Sequence, residues 1–220
     1  MRNYLYYTRY ISLLLLTACS QAHLISVAVA KPDHDAKSFP SGHYTLDKGH
    51  TSITVKVSHL GLSNYTMQFT NFDADLHFNA EFPQKSQLVA TVYTNSIETN
   101  YPYTTKKDFD KELAFSSAWF NANTYPKAVF KSTSIELTGK NTGIIHGELD
   151  FLGVKQPLTL EVTFNGGYLK KPFAGVPALG FSAKSSMQRS NWGLNTYIPA
   201  IGDLVKIDIE CEFHKNPDAT

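Results

Sequence analysis

The sequence predicts an all-β domain of about eight antiparallel strands with one short helix, arranged as an up-and-down barrel or a sandwich. Period-two alternation of apolar and polar residues dominates, as in strands with one buried face. All ten prolines fall in a polar segment near the start, between the alternating runs, or at their ends, where a missing N–H does not interrupt a ladder. One stretch, 106–121, departs from the pattern: Phe109, Leu113 and Phe120 recur at helical spacing behind Thr104 and Thr105 as N-cap candidates.

The chain opens with an export leader. Arg2 and Arg9 precede the uncharged apolar run 11–18, the order of a secretory n-region and h-region. Eight residues cannot span a bilayer, which takes about 20. Two processing sites fit. Leu16-Thr17-Ala18-Cys19 resembles a lipobox, which makes 1–18 a lipoprotein signal and Cys19 a lipidated N-terminus. Ala28-Val29-Ala30 is an ordinary A-x-A site, which makes the leader 1–30. Removing 30 of the 220 residues leaves 190, the size of one domain.

With 42% hydrophobic and 18% charged residues the chain is too apolar to be disordered. Beyond the leader, 18 basic residues face 19 acidic ones, which argues against nucleic-acid binding by phosphate neutralisation. Cys211 has no partner once Cys19 is removed or lipidated, so no disulfide is expected. Its phase with an apolar strand face marks it as a small buried hydrophobe.

Residues 31–42 are polar, hold two prolines, and read as a linker to a domain at 43–214, with a tail at 215–220. Ile53, Val55 and Val57 alternate with polar residues. So do Leu158, Leu160, Val162 and Phe164. The clearest run is the last, with Val205, Ile207, Ile209, Cys211 and Phe213 on one face and Lys206, Asp208, Glu210, Glu212 and His214 on the other. Weaker alternation marks 76–78, 88–97, 129–137, 144–151 and 181–187. Thr138-Gly139-Lys140-Asn141 and Gly166-Gly167 signal turns.

An eight-stranded barrel has room for a side-chain core or for one small ligand; the apolar stripes fit either, and composition alone favours the core. Motifs of the common enzymes (G-x-S-x-G, H-E-x-x-H, Walker loop, C-x-x-C, G-x-G-x-x-G) do not occur. The histidines at 34, 43, 50, 59, 77, 146 and 214 lack the short spacings of local metal sites, so no metal is expected. Arg189 is the only arginine beyond the leader. Its planar fork of donors suits a carboxylate or phosphate head group at a barrel rim, or else it caps a loop or pairs with Asp110 or Asp203.

The run Tyr44-Thr45-Leu46-Asp47, then His50-Thr51-Ser52-Ile53-Thr54-Val55-Lys56-Val57-Ser58-His59-Leu60-Gly61, resembles the opening of YceI-like proteins, a lipid- or polyisoprenoid-binding family of bacterial periplasms. The similarity continues through Phe69-Thr70-Asn71-Phe72-Asp73, Trp119-Phe120-Asn121 and Tyr125-Pro126-Lys127-Ala128-Val129-Phe130, then Gly153-Val154-Lys155-Gln156-Pro157-Leu158, Arg189-Ser190-Asn191-Trp192-Gly193-Leu194 and Gly202-Asp203, spanning about 43–214. The chain departs from the family at Met67 and Ala74, where glycines are common, and at Phe109, where an arginine often precedes Asp110.

The resemblance implies a lipocalin-like extended antiparallel β-barrel in the periplasm that carries a lipid and catalyses nothing. The expected cargo is a long-chain isoprenoid, a quinone or polyprenyl phosphate, with no other cofactor. On this reading Ile53, Val55, Val57, Phe69, Leu76, Phe78, Phe130, Leu160, Val162, Phe181, Ile207 and Ile209 line the lumen. Leu113, Trp119 and Phe120 close one end as a lid, and Arg189, His59 and Tyr125 are polar candidates at a mouth. The protein is expected as a monomer or homodimer that contacts the membrane through a lipid anchor or a cytochrome partner. Two rival readings are an interaction module with a filled core, serving a membrane partner such as a b-type cytochrome, and a lipid-ester hydrolase built on a histidine, a serine and an acid.

Overall fold

In the computed structural model of the protein, residues 31–103 and 105–216 are described. The expected leader with Cys19, the cap candidate Thr104 and residues 217–220 of the expected tail lie outside the described residues, whereas Lys215, at the start of that tail, ends the last strand and the Asn216 amide donates to the His43 carbonyl. Eleven strands follow one another: β1 (Gly42–Leu46), β2 (Ser52–His59), β3 (Ser63–Phe69), β4 (Phe72–Phe78), β5 (Gln87–Tyr93), β6 (Ile97–Glu98), β7 (Lys127–Leu137), β8 (Thr142–Phe151), β9 (Val154–Tyr168), β10 (Ala178–Gln188) and β11 (Ile201–Lys215). One α-helix, α1 (Phe109–Phe115), lies between β6 and β7.

The strands form one antiparallel sheet closed into a ring, β1-β4-β5-β7-β8-β9-β10-β11, by pairing of β1 with β11. β2, β3 and β6 extend from β11 in that order. β1 and β2 both pair with β11 and are separated only by residues 47–51; β3 runs into β4 across 70–71, and β5 into β6 across the 3-10 turn Thr94–Ser96. Eleven segments therefore trace the eight strands of an up-and-down barrel. The sandwich alternative is excluded, because a sandwich has open edges where this sheet closes on itself.

Alternation sorts side chains as the sequence predicts. β4, Phe72-Asp73-Ala74-Asp75-Leu76-His77-Phe78, buries every second residue. The β8–β9 hairpin turns on two residues, Leu152 (φ 52°) and Gly153 (φ 75°), the paired left-handed conformation that fits the twist of adjoining strands. At Gly147 a Cβ would stand 2.3 Å from the Phe130 ring, so glycine there makes room for an inward aromatic.

Four sequence expectations change. Segment 31–42 is part of the domain: Asp33 exchanges two backbone hydrogen bonds with Gly167, residues Ala36–Ser38 form a 3-10 turn, and Phe39 is 3% exposed, edge-on to Phe164. Burial of that one ring outweighs the segment's polar composition. The helix is shorter than 106–121 and is capped by Asp108, whose carboxylate accepts from the Lys111 amide. β1 and β3 lie outside the alternating runs. β9 begins early enough to take in Pro157 opposite Glu148, beyond the last β9–β10 pair at Glu161 and Lys184, where the missing N–H interrupts nothing.

Candidate ligand-binding lumen

The connections of an up-and-down barrel fall at two ends. One end holds the turns at 60–62 and 152–153 with segments 99–126 and 189–200. The other holds 36–41, 79–86, 138–141 and 169–177. Inside the wall lie two chambers of about 200 Å³ each, one toward each end. Ile53, Ala90, Val92, Leu160 and Ile209 line both, so the chambers abut at a shared ring of side chains, the waist. Strands of 15 residues run about 50 Å; at a tilt near 40° the barrel stands roughly 38 Å tall.

The first chamber is lined by Val55, Val57, Phe69, Phe130 and Ile207 from the strands and by Leu113, Trp119 and Phe120 from segment 99–126. β6 pairs with β3 alone, so this corner of the wall is filled by side chains instead of a strand. Leu113 and Ala114 pack on Ile97, and Phe120 on Phe69 and Phe151. Asp110 holds the segment down by accepting from the Thr99 amide and hydroxyl. The second chamber is lined by Leu76, Phe78, Val162, Phe181 and Phe213, among others. Its wall runs out to the exposed residues Leu137, Lys140 and Thr142 of the β7–β8 hairpin, whereas every lining residue of the first chamber is at least half-buried. The mouth is at the hairpin end.

All of the residues expected to line the lumen do so, and the three lid residues close the end away from the mouth. The polar mouth residues do not hold. His59 is exposed at the end of β2, at the closed end, and lines neither chamber. Tyr125 lies against Gly153 outside the lumen, where its carbonyl accepts from Thr94. Arg189 borders the first chamber, but its guanidinium is 3% exposed and donates to four carbonyls, those of Leu194, Thr196, Ile201 and Gly202. It fastens loop 189–200 and has turned away from any head group. Asp203 receives Ser190 instead.

Sequence reasoning missed the waist residues Ala90 and Val92 and the mouth residues of the hairpin. Alanine carries too little apolar weight to mark a face, and a turn signal does not tell which end of a barrel is open.

Outside the lumen, Lys171 lies among Asp47, Glu212 and His214. Asp47, His50 and Glu212 come close enough together to hold a metal ion, but the Lys171 ammonium already occupies the space between the two carboxylates. Among the described residues no serine hydroxyl is hydrogen-bonded to a histidine; His43 and His50 pair with Asp75 and Asp47. Burial, reinforced by the Glu210 and Glu212 carboxylates, pushes the Cys211 thiol up to about 12, where it is inert.

A closed antiparallel barrel with an apolar interior is the architecture of proteins that enclose a small apolar ligand. The chain belongs to the YceI-like family, whose YceI-like domain model matches residues 44–213. It is 31% identical over 191 residues to a UPF0312 protein of Pseudomonas fluorescens, covering 86% of this chain and 95% of that one. A UPF0312 protein of Pseudomonas putida is 32% identical over 156 residues, 70% of this chain and 77% of that one. Among solved structures, Burkholderia cenocepacia BcnA superimposes with a TM-score of 0.65 at 19% identity, covering 76% of this chain and 98% of that one. A polyisoprenoid-binding domain from Saccharophagus degradans, implicated in plant cell wall breakdown, gives 0.56 at 13% identity, covering 79% and 98%.

Proposed function

We propose that the protein is an exported periplasmic carrier that holds one long apolar chain, an isoprenoid quinone or polyprenyl phosphate, inside the barrel, and that it makes and breaks no bond. The observation that carries this reading is the pair of apolar chambers that abut at one shared ring of side chains. A single apolar tail threading that waist would run from the mouth to the lid formed by Leu113, Trp119 and Phe120. Its transfer from water is favoured by roughly 25 cal/mol per Å² of area covered, with no directional contact required. The polyisoprenoid-binding domain of similar fold supports the cargo class, and the leader supports export.

The test is native mass spectrometry of protein purified from its own host, followed by solvent extraction and identification of the bound lipid. A stoichiometric prenyl lipid establishes the carrier. A protein that is empty and also refuses added quinones and polyprenyl phosphates overturns it.

A further inference from the structure

Resting on that reading of the lumen, we propose that the mouth end of the barrel docks on an anionic lipid surface, so that cargo passes between bilayer and chamber without crossing water. The two ends differ in charge. The mouth-end segments 31–41, 79–86, 138–141, 169–177 and 215–216 carry seven lysines against three acidic residues, and one of the seven, Lys171, is neutralised by Asp47 and Glu212; the closed-end segments 60–62, 99–126, 152–153 and 189–200 carry four basic residues against three acidic, and one of the four is the buried Arg189. Apolar side chains stand among the lysines around the mouth: Leu137 is 51% exposed, Leu169 62% and Phe173 80%. Lys85 lies over the ring of Phe82, the aromatic and cationic pairing suited to a headgroup layer.

The path of the chain points the same way. Asp33 is bonded to Gly167, so residues 1–30, with the apolar run 11–18 and Cys19, join the barrel at the mouth end. Cys19 precedes Asp33 by 14 residues, a span of at most about 50 Å. An anchor at Cys19 therefore joins the barrel on the mouth side, although a tether of that length spans the height of the barrel. The closed end also exposes apolar residues, Leu60, Leu62 and Tyr197. It has neither the opening nor the positive excess.

The orientation can be read with a single environment-sensitive thiol label, because the Cys211 thiol is inert. Leu169→Cys and Leu62→Cys versions of the mature protein are labelled and mixed with vesicles of phosphatidylcholine, with and without phosphatidylglycerol. The expected result is a blue shift of the label at 169 on phosphatidylglycerol vesicles, absent at 62, and abolished by Lys140→Glu with Lys170→Glu or by high salt. A shift at 62 and not at 169 overturns the proposal, as does no shift at either position. A shift that is equal on uncharged vesicles and indifferent to charge reversal also overturns it, since the anchor alone then accounts for contact. The same samples are extracted for bound lipid: cargo present without the shift at 169 overturns docking and leaves the carrier intact, whereas the shift without cargo overturns the carrier.

Discussion

Lys171 Nζ stands 2.9 Å from Asp47 Oδ2 and ties the β9–β10 loop to the end of β1 across 124 residues of sequence. The ammonium also pairs with Glu212 and donates to His214 Nε2 at 3.1 Å, so one cation satisfies three groups on two strands. Lys171→Met leaves Asp47 and Glu212 facing each other uncompensated. Loss of about 2 kcal/mol is expected from urea unfolding. Hydrogen exchange should rise in loop 169–177. A variant that unfolds at the wild-type urea concentration rules this role out.

The same cluster sets an acid limit. Burial opposes the charge on Asp47, but hydrogen bonds from Lys171, His50 and the Gly49 amide outweigh it and hold the carboxyl well below its usual range. Its contribution is therefore full above the unfolded carboxylate value of about 4 and is lost as pH falls through the depressed folded value. Burial, then the neighbouring Lys171, lowers the pKa of His214, so the fold favours the neutral ring. That contribution is complete above about pH 6.5 and is lost as pH falls from there toward the folded value. Melting temperature should fall on acidification in two stages, and His214→Gln should remove the upper one. An unchanged slope between pH 5 and 7 in that variant, roughly the range where a histidine titrates, counts against the assignment.

Within the lumen, Ala90 is the smallest of the five side chains that line both chambers. Ala90→Phe should partition the lumen, so that long prenyl chains are lost from native mass spectra while short fatty acids still bind the mouth-side chamber. Ile207→Asp places an unpaired carboxylate in the first chamber at a cost of several kcal/mol to any occupant. Retention of long-chain lipid by folded forms of both variants would show that cargo lies elsewhere.

Arg189 is a fastener. Arg189→Lys cannot reach four carbonyls at once and should lower stability by about 3 kcal/mol, judged against roughly 1.5–3 kcal/mol for a hydrogen bond to a charged group. The set of lipids extracted from the variant should match the wild type. A change in bound head groups would instead put the guanidinium in contact with cargo.

Phe39→Ala should cost about 3 kcal/mol, the price of emptying a well-packed aromatic site. Its effect on thermal unfolding distinguishes a segment that belongs to the domain from one that merely leads to it.

The barrel was legible in the sequence wherever apolar residues alternate strongly, as in β11 with Val205, Ile207, Ile209, Cys211 and Phe213. β3 was harder to see: Tyr65, Met67 and Phe69 do alternate, but they lie only half-buried beneath segment 99–126. The bond between Asp33 and Gly167 is made by backbone atoms, so no side-chain pattern announces it. Arg189 stood out by being unique, yet a guanidinium among carbonyls has the same sequence signature as one facing a phosphate. Its partners lie 5 to 13 residues further on and depend on the path of the loop. The lining could be read because it follows from alternation; the mouth could not, because it depends on where a wall stops.

β11 carries more than its own share of the wall, pairing with the whole length of β10 on one edge and with β1 and β2 in succession on the other. Tyr44 lies opposite Lys215, nearly the full span of the domain apart. The seam is thus zipped by the last of the described strands, and until it closes there is no interior, only a curled sheet with an apolar face. Joining such distant partners is slow. During that interval the open sheet presents its greasy face to whatever is nearest.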